Sequence, residues 1–170
     1  MTNQPTPETV ERNKAVSHRW IELFNERDEA GQADVLAPDY IAYAPASLEP
    51  APMDGEAWAR FLDGFVEGFP DLQLTVGNAV GEGDLVAQRV HFAGTHTGEF
   101  QGLPPTNRKV EFSGLELNRF VDGRVAEHWF QLDALGLLQQ LGLAVVPGPR
   151  LLPRILAKQV KKLRPRARQR

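Results

Sequence analysis

Residues 94–142 read GTHTGEFQGLPPTNRKVEFSGLELNRFVDGRVAEHWFQLDALGLLQQLG, and this stretch decides the fold class. Two strand-like runs, Val110 to Phe120 and Val125 to Leu132, flank the turn Val121-Asp122-Gly123-Arg124. Asp-Gly supplies the positive φ that a tight two-residue turn needs, so the runs predict an antiparallel hairpin. Side chains alternate across a strand. His128 and Phe130 therefore share one face with Ala126 and Leu132, and Glu127, Trp129 and Gln131 share the other. On the preceding run Phe112, Gly114, Glu116, Asn118 and Phe120 share a face. Asp133 then ends the second strand and is placed to cap a short helix, ALGLLQQLG, over about 133–141.

Working upstream, residues 8–27 predict a helix, with Thr6 or Thr9 as cap and Val16, Trp20, Leu23 and Phe24 at helical spacing. A second helical piece covers about 30–37 and ends before Pro38, and Tyr40 to Tyr43 is a short extended segment. After the loop ASLEPAPMDG comes a helix over 55–68, with Asp54 as N-cap and Trp58, Phe61, Leu62 and Phe65 on its apolar stripe. The period then changes to two over Leu72–Val76 and, in part, over Leu85–Phe92. Helices first, then about four antiparallel strands, then a closing helix predict an α+β domain with its helices on one face of a curved sheet.

A chain of 170 residues with 42% apolar content suits one domain with a real core. It has no cysteine, which excludes disulfides, thiolate nucleophiles and cysteine metal sites. The N-terminus has no signal-peptide pattern and no apolar run is long enough to span a bilayer, so a cytoplasmic location is expected. The net charge of −3 hides an asymmetry: positions 147–170 hold nine Lys or Arg and no acid, leaving ten basic residues against all 22 acids upstream. Pro147-Gly148-Pro149 thus marks a boundary between a domain at 1–146 and an appendage at 147–170. Within it Leu152, Leu156, Val160 and Leu163 fall on one helical face with the bases largely off it, the pattern of a basic amphipathic helix. Such a tail suits first a contact with the acidic body of the protein's own dimer partner or a disordered appendage, and second an anionic membrane surface. Nucleic acid is disfavoured, because no aromatic residues interleave with the charges.

The segments THTGEFQGLPPTNRKV (95–110), VDGRVAEHW (121–129) and DALGLLQQLG (133–142) resemble the SnoaL-like polyketide cyclases. The resemblance covers roughly residues 10–142 and implies the cone-shaped fold of nuclear transport factor 2. In that fold a curved antiparallel sheet wraps around N-terminal helices and leaves an apolar pocket at its open end. It also implies cofactor-free acid/base chemistry on a hydrophobic, carbonyl-bearing, polyketide-like metabolite. One position departs from the pattern. The cyclases carry a general acid/base Asp two residues after the His of the His-Trp pair, and here that position is Phe130.

If position 130 points into the pocket as the family's Asp does, so does His128, and Glu116 takes the place where the family can hold a His partner. Glu116, His128 and Asp133 are the candidate catalytic residues, with Asn118 as a candidate donor to an enolate. A Glu–His pair can take a proton from beside a carbonyl and return one elsewhere. Glu116 also fits a structural hydrogen bond to His128 or Arg119, and capping alone would explain Asp133. His96, in the loop that resembles the pocket rim, joins Asn118, Phe130, Tyr43, Trp58 and Phe65 as candidate substrate contacts. No histidine pair has metal-ligand spacing, and neither a metal nor a cofactor is expected. A polar and aromatic outer sheet face predicts a homodimer. The alternative to an enzyme is a small-molecule binding protein of the same fold that lost catalysis when position 130 became Phe.

Overall fold

The computed structural model describes residues 6–143. The predicted tail at 147–170, its amphipathic helix and its contacts therefore lie outside the described residues. Helix α1 (Pro7–Glu26) starts where the Thr6 side chain accepts from the Thr9 amide, and ends at Arg27 in a left-handed conformation. It buries Asn13, Ser17, Trp20, Ile21 and Phe24 on one stripe. Helix α2 (Glu29–Asp34) is short, and Asp28 caps it. Strand β1 (Leu36–Tyr43) follows, then helix α3 (Gly55–Gly68), which Asp54 caps as expected. Strands β2 (Gln73–Glu82), β3 (Leu85–Thr95), β4 (Lys109–Val121) and β5 (Arg124–Leu132) lead to helix α4 (Ala134–Leu141).

The five strands form one sheet in the order β1-β5-β4-β3-β2. The β4–β5 turn is the one read from the sequence: Asp122 and Gly123 have φ of 51° and 78°. Two details differ from the expectations. The second helical piece ends at Asp34, and Leu36 to Tyr43, Pro38 included, is a sheet strand. That strand also runs parallel to β5, pairing Ala42 with His128 and Tyr43 with Trp129, so the sheet is not wholly antiparallel. An edge strand tolerates Pro38 because a proline there removes no ladder donor on its open side. The α+β class itself is as expected.

Helices α1 and α3 fill the concave side of the sheet, and the core lies between them and the inward residues of every strand. The segment after β3 is pinned to the end of α3: the Thr97 and Gly98 amides both donate to the Gly68 carbonyl at 3.1 Å. A Cβ on Gly98 would overlap the Glu67 carbonyl oxygen, a backbone atom that cannot swing aside. Gly98→Ala is expected to destabilise the protein by about 1–3 kcal/mol, the usual scale for overpacking, read as a lower urea midpoint at unchanged slope.

Candidate active site

Two rows of inward side chains cross the floor of the concave face. In one, β3, β4 and β5 place Gln88 opposite Glu116 and Glu116 opposite Phe130. In the other, Val86, Asn118, His128 and Ala42 lie in register across four strands. Glu116 and His128 are thus diagonal neighbours on adjacent strands. Above them, between the end of α1, α2, the start of β1 and α3, opens a cavity of about 350 Å³ walled in part by Trp20, Phe24, Leu36, Tyr40, Trp58 and Leu62. Trp20, Phe24, Gln32, Trp58 and Leu62 also line an adjoining inner chamber of about 30 Å³, whose other walls include Phe92, Glu116, His128 and Phe130. The chamber has room for about one water-sized group.

Glu116 is the acid of this chamber. Its carboxylate accepts a 2.8 Å hydrogen bond from Gln88 Nε2, and no cation is paired with it among the described residues. Burial pushes its pKa up from 4.5 to about 7, and the Gln88 bond offsets only part of this. The Gln88 Oε1 atom is buried with no protein partner, an acceptor that a protonated Glu116 could serve. His128 is 1% exposed, and burial drives its pKa down to about 3, so it is neutral across the working range. Tyr40 Oη lies 3.1 Å from His128 Nδ1. The expected Glu116–His128 hydrogen bond is not formed: each residue has its own partner, on β3 and β1 respectively.

Other candidates lie elsewhere. Asn118 is fully buried but turns to α1, donating to Ser17 Oγ at 3.2 Å, and is not on the chamber wall. Asp133 is exposed and caps α4 by accepting from the Gly136 amide at 2.8 Å, the non-catalytic reading of that residue. Tyr43 does not face the cavity. It sits on the convex side, stacked on Trp129 with ring centroids 5.6 Å apart, because β1 alternation turns Tyr40 and Ala42 inward instead. Phe65 packs in the core against Phe100 and Phe61, beyond the chamber. His96 is no rim contact: it is buried, its Nδ1 accepts from the Thr106 amide at 3.2 Å, and its ring lies 5.1 Å from Phe69. Trp58 and Phe130 do line the chamber, with Trp58 4.7 Å from His128 and 6.0 Å from Phe130 between ring centroids. The sequence reading missed Tyr40 and Gln88. Gln88 had a legible signal, a polar residue at an inward place in the alternating series Val86, Gln88, Val90, Phe92. Among the described residues no three His, Asp or Glu side chains cluster as a metal site, and no helix is long and apolar enough to cross a membrane.

The family model for SnoaL-like polyketide cyclase matches residues 14–141. The chain belongs to that family. Similar members include the nogalonic acid methyl ester cyclase of Streptomyces nogalater, 29% identical over 124 residues, which are 72% of this chain and 91% of the relative. Among solved structures, IdmH from Streptomyces antibioticus, a candidate polyketide cyclase, is 36% identical with a TM-score of 0.71, over 77% of this chain and 99% of its own. AclR from Streptomyces galilaeus, a candidate hydroxylase, is 33% identical with a TM-score of 0.73, over 91% of this chain and 95% of its own. As a member of the SnoaL-like family the chain has the cone fold that its motifs implied, with Phe130 on the chamber floor opposite Glu116.

Proposed function

We propose that this SnoaL-like protein is a cyclase that uses Glu116 as general base, without a cofactor, on a hydrophobic polyketide-like metabolite. The observation that carries the reading is a buried carboxyl with a pKa near 7, facing the inner end of an apolar cavity that opens to the surface. A base poised near neutral pH takes a proton from beside a carbonyl efficiently and gives it back efficiently. In an intramolecular aldol closure Glu116 would remove the α-proton. The enolate carbon would then form the new C–C bond to a second carbonyl, and the resulting alkoxide would recover the proton, so no atom is lost. The aromatic walls suit a flat ring system. Glu116 thus takes over the proton transfer for which the family's Asp is absent at Phe130.

Incubating the full-length protein with nogalonic acid methyl ester, the compound for which a relative is named, tests this directly. The expected result is a product of unchanged mass with one more ring. Saturable binding with no such product would establish the binding-protein reading, which Phe130 favours.

Pairing of the convex face with a second copy belongs to the same proposal. That face carries the Tyr43–Trp129 stack together with Leu115 and Val80, which are 63% and 67% exposed in the single chain. Large apolar side chains in that position mark an interaction surface. Light scattering at micromolar concentration is expected to give twice the chain mass of 18.9 kDa, and a monomer would remove the dimer.

A further inference from the structure

Two residues that line the inner chamber each carry a buried ring nitrogen without a protein partner among the described residues. Among the described residues Trp58 Nε1 and His128 Nε2 have no hydrogen-bond partner, on residues only 5% and 1% exposed. Both residues line the chamber, and their rings meet edge-on with centroids 4.7 Å apart. The Tyr40 contact bears on which imidazole nitrogen holds the proton. The Tyr40 hydroxyl has no other hydrogen-bond partner among the described residues, and its proton is satisfied only if it donates to Nδ1, which assigns the proton of the neutral ring to Nε2. An unpaired buried donor is costly, and two of them bordering a space the size of one oxygen atom point to a group that arrives with the ligand.

We propose that Trp58 Nε1–H and His128 Nε2–H together receive one carbonyl or enolate oxygen of the ligand, with Tyr40 as the positioning residue that holds His128 in the donor tautomer. The proposal rests on the proposed cyclase reading and adds its substrate requirement. The ring system in the outer cavity must project a single acceptor oxygen inward, beside an acidic C–H that Glu116 can reach. A neutral imidazole then does what an imidazolium would do at greater desolvation cost, and negative charge developing on that oxygen meets two fixed dipoles. A ligand with an apolar edge or a hydroxyl acting as donor at that place leaves both N–H groups unpaired and is rejected.

The test compares two rigid tricyclic probes that differ by one oxygen, 9-fluorenone and fluorene, by equilibrium dialysis against the full-length protein. The wild type is expected to prefer fluorenone at least tenfold. Trp58→Phe keeps a ring and removes a donor; it should reduce that preference about three- to tenfold, the worth of one neutral hydrogen bond, the ratio of the two affinities cancelling the ring area lost to both probes. Tyr40→Phe should reduce the preference similarly. In nitrogen-15 NMR of His128 it should also convert a single Nε2-protonated tautomer into a mixture, which a merely structural tyrosine would not do. Equal affinity of the wild type for both probes overturns the proposal, as does an unchanged preference in Trp58→Phe. A His128 found protonated on Nδ1 also overturns it. Glu116→Gln separates the two readings. If that variant keeps full turnover, Glu116 is not the base, while the fluorenone-to-fluorene ratio still reports on the oxygen receptor.

Discussion

Glu116→Gln is expected to lower kcat/KM by about 10²- to 10⁴-fold with ligand affinity held within a few-fold, the usual scale for loss of a general base. The introduced amide keeps the shape of the side chain, and its oxygen can still accept from Gln88 Nε2, so the chamber should survive. The wild-type pH profile of kcat/KM should rise through an apparent pKa near 7, where the Glu116 carboxyl deprotonates, and this limb should be absent from the residual activity of the variant. His128 adds no limb at neutral pH, since it stays uncharged down to about pH 3. A variant with wild-type turnover would remove Glu116 from the chemistry.

The same substitution has a signature in stability. The folded protein binds the Glu116 proton more tightly than the unfolded chain does. The stability tied to that proton is fully present below about pH 4.5 and is lost as pH rises through about 7. The full difference is on the order of 3 kcal/mol, from the conversion of about 1.4 kcal/mol per pKa unit. Glu116→Gln carries no such loss, so its stability relative to wild type should climb between pH 5 and pH 8 in denaturant titrations. His128 acts in the opposite direction. Its folded pKa is depressed, so its contribution is present above about pH 6.5 and is lost as pH falls toward 3. That slope is common to both proteins and cancels in the comparison.

Phe130→Asp is expected to cost about 3–5 kcal/mol, the range for removing a buried phenyl, and more once the new carboxyl ionises. Phe130 is 4% exposed and touches a ring cluster: centroids of Trp58, Phe92 and Phe61 lie 6.0, 6.0 and 6.5 Å away. The introduced acid would sit opposite Glu116 in the β4–β5 register. Two carboxyls so placed cannot both ionise cheaply, so one of the pair should titrate above the wild-type Glu116. For a domain of this size the loss lowers the melting temperature by roughly 10–15 °C. An unchanged melting temperature would mean that the ring cluster is not a packed floor. In the variant that remains folded, a gain in cyclase turnover would show that the chamber can host the family's own acid.

Much of this molecule is legible in the chain alone. The Asp-Gly hairpin, the Asp54 and Asp133 caps and the period-two alternation that turns Glu116, His128 and Phe130 to one face are local features. They follow from backbone preferences within a few residues, so they need no knowledge of distant contacts. The sequence also showed which side chain departs from the cyclase pattern, at Phe130. Three things were decided only by the tertiary structure. The parallel pairing of β1 with β5, a contact between segments some 85 residues apart, brings Tyr40 to His128 and leaves Tyr43 outside. The register of β3 on β4 gives Glu116 to Gln88 rather than to His128. The meeting of α1 and α3 over the sheet shrinks the inner chamber to the size of one polar atom. Each depends on which distant segments pack together, and the neutral His128 and the near-neutral pKa of Glu116 exist only because that packing removes water from both.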